Sequence, residues 1–115
     1  MKVVIYGIRN CDTMKKAFAW LAAHDLAYDF HDYKLSRIDK PRLLAWVNIV
    51  GWEVLLNRAG TTFRKLPDAD RENLTRATAV KLMLAQPSMI KRPVLECGAT
   101  LLVGFSPEKY SALRP

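Results

Sequence analysis

The sequence predicts an α/β fold, and three observations carry that reading. The apolar run Val3-Val4-Ile5-Tyr6, a helical stretch after it, and the alternating Tyr28-Asp29-Phe30-His31-Asp32-Tyr33 form a strand–helix–strand unit. Far along the chain, Val94-Leu95-Glu96-Cys97 and Thr100-Leu101-Leu102-Val103 flank Gly98-Ala99, the pattern of a β-hairpin with a tight turn. Everything between these two pieces reads as helices and turns.

In the first unit, Met14, Ala17, Phe18, Leu21 and Ala22 recur at helical spacing, which predicts a helix from just after Cys11 to about His24. Period-two alternation over 28–33 predicts the second strand, parallel to the first through a right-handed crossover. Ser36-Arg37-Ile38-Asp39 resembles a capping box, Pro41 sits where a helix start tolerates it, and Leu43, Leu44, Val47 and Val50 give the stripe of a helix stopped by Gly51. Trp52 to Asn57 reads as a further helical turn, and 61–67 as irregular or briefly extended. Thr75 caps a helix over about 76–86, with Ala79, Val80, Leu82 and Met83 on its apolar side and Pro87 as its stop. Residues 88–91 read as a short linker. After the hairpin, Ser106 and Pro107 open a last helix, with Tyr110 and Leu113 facing inward. The outer pieces together make a thioredoxin-like sheet. A single domain over 1–115 is expected, with 1–35 and 88–115 as its core and about 36–87 as a helical insertion.

Composition narrows the function. With 115 residues, half of them hydrophobic and a quarter charged, the chain reads as globular. It has no apolar run of membrane-spanning length and no signal-peptide pattern, so a cytoplasmic protein without membrane attachment is expected. The formal charge of +7 admits an acidic partner, but the basic residues are scattered and not interleaved with aromatics. That pattern favours a basic face or an anion cleft over nucleic acid. Two cysteines and two histidines, widely spaced, make neither a disulfide framework nor a metal site. No P-loop or dinucleotide glycine pattern occurs.

The chemistry concentrates at Cys11. It follows a strand and a Gly-containing turn and precedes a helix, so it meets free N–H groups and the positive end of the helix dipole. A thiol there tends towards the thiolate, although a small buried hydrophobe is the other reading of a free cysteine. Arg9, Lys15 and Lys16 add positive charge, and Asp12 opposes it. Met14 stands where a C-x-x-C motif would place its second cysteine. Pro93 opens the third strand, and the fold reading favours a cis bond there over an ordinary trans proline. The same reading brings Arg92 near Cys11, where its planar fork suits an oxyanion or carboxylate. Arg58 is either a second arginine for that anion or a solvated surface residue. Asn10 either donates near the thiolate or holds the turn. His24 falls roughly 20 Å along the helix from Cys11, too far for a Cys–His dyad. His31 reads as structural and Cys97 as a remote bystander.

Three segments, Tyr6-Gly7-Ile8-x-Asn10-Cys11-Asp12-Thr13-x-Lys15-Lys16-Ala17, Leu56-Asn57-Arg58-x-Gly60-Thr61-Thr62 and Pro87-Ser88-x-Ile90-Lys91-Arg92-Pro93-Val94-Leu95, closely resemble the arsenate reductase/Spx family, and its YffB-type branch most of all. The resemblance covers essentially the whole chain. It implies a thioredoxin-like fold with a helical insertion and a glutathione-dependent thiol reductase. Cys11 matches the family nucleophile, Arg58 and Arg92 match two of three oxyanion-binding arginines, and Pro93 matches the cis-proline. With Asn10 these are the expected catalytic and glutathione-binding residues. Glutathione is expected as co-substrate, glutaredoxin as a partner, a small-molecule or protein disulfide as substrate, no bound cofactor or metal, and a monomer. Two departures stand out: no arginine occurs in 102–106, where the third is expected, and C-x-x-C, frequent in Spx regulators, is absent. The alternatives are an arsenate reductase proper and a non-enzymatic Spx-like regulator that binds RNA polymerase.

Overall fold

The computed structural model describes residues 2–113 and divides into two compact units. The first is assembled from two stretches, one ending at Ser36 and one beginning at Arg92; the second is the continuous segment Arg37–Lys91.

The first unit has the α/β, thioredoxin-like architecture. Strands β1 (Val3–Gly7), β2 (Asp29–Asp32), β3 (Val94–Cys97) and β4 (Thr100–Val103) form one sheet in the order β2-β1-β3-β4. β1 and β2 are parallel, and β3 runs antiparallel to both β1 and β4. Period two then sorts the side chains. Val3 and Ile5 of β1 and Leu95 and Cys97 of β3 share a face and form one core with Met14, Ala17 and Leu21 of helix α1 (Asp12–Ala23) and with Tyr110 and Leu113. Phe18 packs edge-on against Phe30 and stacks on Tyr28 at the side of this core. Ala22, expected on the apolar stripe of α1, is exposed, because the buried face narrows to the three positions nearest the sheet. The last helix, Pro107–Tyr110, is capped by Ser106, whose hydroxyl accepts the Lys109 N–H at 3.1 Å.

β2 ends earlier than the alternation predicts. The Asp32 carboxylate accepts the Lys34 N–H at 2.9 Å, turning the chain into the one-turn helix α2 (Tyr33–Ser36).

In the second unit, α3 (Lys40–Val50) is capped by Asp39, which accepts the Arg42 N–H, and not by Ser36 as the sequence suggests. Arg37 intervenes with a positive φ and reaches away to donate to the Leu84 and Ala85 carbonyls at 2.9 and 2.7 Å. Trp46, absent from the expected stripe, is buried with Leu43 and Val47, while Leu44 and Val50 are half-buried. Gly51 ends α3 at φ 89, a value that favours glycine. α4 (Trp52–Leu55) follows. The stretch 61–67, expected to be irregular, begins with a helical turn, α5 (Thr61–Arg64), and a second turn, α6 (Asp68–Arg71), follows it. α6 is held by the Asp68–Arg71 ion pair and by Arg71 Nε donating to the Leu66 carbonyl at 3.0 Å. Thr75 and Thr78 exchange side-chain-to-backbone hydrogen bonds and open α7 (Arg76–Ala85). The expected linker is instead a 3₁₀ turn at Pro87–Met89. Asn57 donates to the Met89 carbonyl, and Ile90 bridges to Leu56, so the stretch belongs to this unit.

Candidate active site around Cys11

β1 delivers the chain to the site. It ends at Gly7, and a Cβ there would collide with the Met14 thioether. That contact is why Met14, fully buried, can pass under the turn. The backbone then bends through Ile8–Asn10, and the Cys11 N–H donates to the Arg9 carbonyl at 3.2 Å. Cys11 is the extended N-cap of α1 (φ −146, ψ 128), and its own carbonyl accepts the Lys15 N–H at 3.0 Å.

The register brings the Arg92–Pro93 peptide to the same end of the sheet. Tyr6 pairs with Val94 on one side and His31 on the other, and Gly7 pairs with Asp32. The end of β1, the start of β3 and the end of β2 therefore coincide. The Arg92–Pro93 peptide bond is cis, the isomer expected from the fold. Pro93 is buried, its carbonyl accepting the Gly104 N–H at 2.8 Å.

Partial burial of Cys11 by itself raises the thiol pKa. Against it act the Met14 backbone N–H, a hydrogen bond from the Arg92 side chain, the Thr13 backbone N–H and the Arg92 charge, and together they hold the thiol below its ordinary value. The structure thus brings Arg92 to Cys11. Arg9 is exposed, with its guanidinium over the Phe30 ring at 5.4 Å from the centroid. Asn10 is exposed in the bend. Arg58 belongs to the second unit, where its guanidinium lies 5.2 Å from the Trp52 centroid. Cys97 is buried and a free thiol; it pairs with Val3, at the other end of β1 from Gly7. Among the described residues no group of His, Cys, Asp or Glu is arranged to hold a metal ion, and no helix is long and apolar enough to cross a membrane.

Sequence reading missed a polar group on the second sheet face, formed by Tyr6, His31 and Glu96. The Tyr6 hydroxyl donates to Glu96 Oε1 at 2.7 Å. The Tyr6 ring lies 4.9 Å from His31, and His31 lies 6.1 Å from Tyr33. Tyr33 is buried, and Tyr6, Arg92 and Glu96 all act on it electrostatically. The alternation in β1, β2 and β3 holds the signal, since it puts Tyr6, His31 and Glu96 on one face once the register is known.

The ArsC family model matches residues 6–113. A solved structure of a protein named YFFB is 59% identical, with 96% of this chain and 97% of that one covered and a TM-score of 0.94. An arsenate reductase (ArsC) related protein from Brucella melitensis is also 59% identical, covering 97% of this chain and 93% of its own, at a TM-score of 0.79. The global transcriptional regulator Spx of Streptococcus mutans is 26% identical over 98% of this chain and 83% of its own. With the thioredoxin-like sheet, the cysteine-capped helix and a family match that runs from β1 past the last helix, this chain belongs to the ArsC family.

Proposed function

We propose that the protein is a thiol–disulfide oxidoreductase with glutathione as co-substrate and Cys11 as its single nucleophile. The observation that carries this reading is the environment of the Cys11 sulfur, where backbone N–H groups of α1 and the Arg92 guanidinium favour the thiolate. The thiolate attacks one sulfur of a disulfide, forming a mixed disulfide and expelling the other sulfur as a thiolate that takes a proton from water. Where the captured half is glutathione, a second glutathione thiolate attacks the glutathione sulfur. Oxidised glutathione leaves, and the Cys11 thiolate is restored. Met14 in place of a second cysteine supports resolution by an external thiol.

Arg92 serves twice in this scheme, steadying the thiolate and offering its fork to an anionic group of the substrate. In this reading Asn10 and Pro93 line the same site, and Arg58 takes its anion-binding role from the family resemblance. Cys11→Ser should abolish glutathione-coupled turnover while leaving the circular-dichroism spectrum unchanged; turnover surviving in that variant refutes the mechanism. Arg58→Ala, read as a rise in KM, tests whether the family role of that position operates in this chain.

The likeness to the arsenate reductase related protein favours arsenate as a second substrate. The region of the third family arginine reads Leu102-Val103-Gly104-Phe105-Ser106, with no arginine. Arsenate turnover is therefore expected to be weak beside disulfide turnover. The likeness to Spx gives the third reading, which stoichiometric RNA polymerase capture, unaffected by Cys11→Ser, would favour.

A further inference from the structure

Tyr33 is only 3% exposed, yet its hydroxyl has no hydrogen-bond partner among the described residues. Buried hydroxyls are nearly always bonded, and one that is not lowers stability. Its setting separates it from Tyr110, the other buried tyrosine without a hydroxyl partner. Tyr110 lies in the apolar core between Trp20 and Phe105, and burial alone raises its pKa. Tyr33 follows β2 directly, at the sheet end where Gly7 pairs with Asp32 and where Cys11 and Arg92 lie.

Tyr6, Arg92 and Glu96 act electrostatically on Tyr33. Burial pushes it far above the ordinary tyrosine range, Tyr6 adds to this, Arg92 opposes it and Glu96 adds again. It is therefore held as a neutral hydroxyl, able to donate to a ligand oxygen. Glu96 Oε1 is already engaged by the Tyr6 hydroxyl. Arg92, half-exposed, connects this region to the Cys11 sulfur.

We propose that Tyr33 is a further substrate-binding residue, donating its hydroxyl to an acceptor oxygen of the molecule that docks at Cys11 and Arg92. That oxygen is a carboxylate or amide carbonyl of a glutathione-like peptide, or an oxyanion such as arsenate. The inference deepens the glutathione reading and rests on it for the peptide ligand only. It carries a distinctive consequence, because a hydroxyl kept for a ligand is a liability in the free protein. Tyr33→Phe should raise the Tm of the ligand-free protein by a few degrees and weaken ligand binding about fivefold, the size of one neutral hydrogen bond.

The experiment compares wild type, Tyr33→Phe and Tyr110→Phe, full length. It records Tm alone, with reduced glutathione and with arsenate, and, with reduced glutathione as reductant, KM for the glutathione–cysteamine mixed disulfide and for hydroxyethyl disulfide, which has neither carboxylate nor amide. Support is a higher ligand-free Tm in Tyr33→Phe, a smaller Tm rise with whichever ligand stabilises wild type, and unchanged behaviour of Tyr110→Phe towards ligands. A raised KM for the glutathione–cysteamine mixed disulfide with that for hydroxyethyl disulfide unmoved assigns the acceptor to the peptide; a loss confined to arsenate assigns it to an oxyanion. A lower ligand-free Tm, equal ligand shifts in wild type and Tyr33→Phe, or no ligand shift in wild type overturns the proposal. Absence of glutathione turnover in wild type, with arsenate stabilisation lost in Tyr33→Phe, retires the glutathione reading and leaves this inference standing.

Discussion

At Cys11, burial and hydrogen bonding act in opposite directions on the same sulfur, and the donors prevail. The rate of alkylation by iodoacetamide should therefore titrate below the free-cysteine pKa of about 8.5. Arg92→Ala removes a hydrogen bond and a charge, so the midpoint should move up. Arg92→Lys should fall between, keeping the charge but losing the planar fork. The sign for stability follows by linkage. A thiol whose folded pKa is depressed stabilises the fold fully above its unfolded pKa, and that contribution fades as pH falls through the folded value. Denaturant midpoints of wild type and Cys11→Ser should accordingly diverge on the alkaline side. Cys11 was legible in the sequence because its signals are local: a strand, a glycine, a helix. Arg92 needed the fold as well. Tyr33 was not legible as a neighbour of Arg92, since only strand register brings the end of β2 and the start of β3 to the same sheet end, and the Tyr6–Glu96 hydrogen bond needs the register too.

The elements differ in how much of their stability is written locally. Thr75 and Thr78 close a reciprocal cap, and the reading of a helix beginning after Thr75 was right. Thr75→Ala should cost about 1 kcal/mol in chemical denaturation, with Thr75→Gly milder. The hairpin strands also fall where the turn signal put them, with Gly98 at φ 60 in the turn between them. The Ser36 box failed because a pattern of residue types cannot say which polar side chain will cap. Asp39, next to Lys40 and Pro41, took the role. The turns at 61–64 and 68–71 escaped because a single helical turn shows no periodicity. In α1, Leu21 is completely buried against the sheet, and Leu21→Ala should cost about 2–5 kcal/mol, read as a fall in the denaturation midpoint.

Over the whole molecule, the βαβ and ββα pieces were readable and so was the sheet they form, since each piece carries its own period. The extents of the small helices between them were not. The first unit is closed by β1 and β3, strands drawn from distant parts of the sequence, whereas the second is continuous. Such long-range pairing is slow to form compared with local helices. The order has a meaning for the thiol. While the chain is being synthesised, Cys11 emerges early and Arg92 late, so a nascent Cys11 lacks the guanidinium that favours its thiolate. Completion of the sheet is thus what carries the guanidinium to the sulfur, and an unfinished or unfolded copy holds Cys11 without that donor.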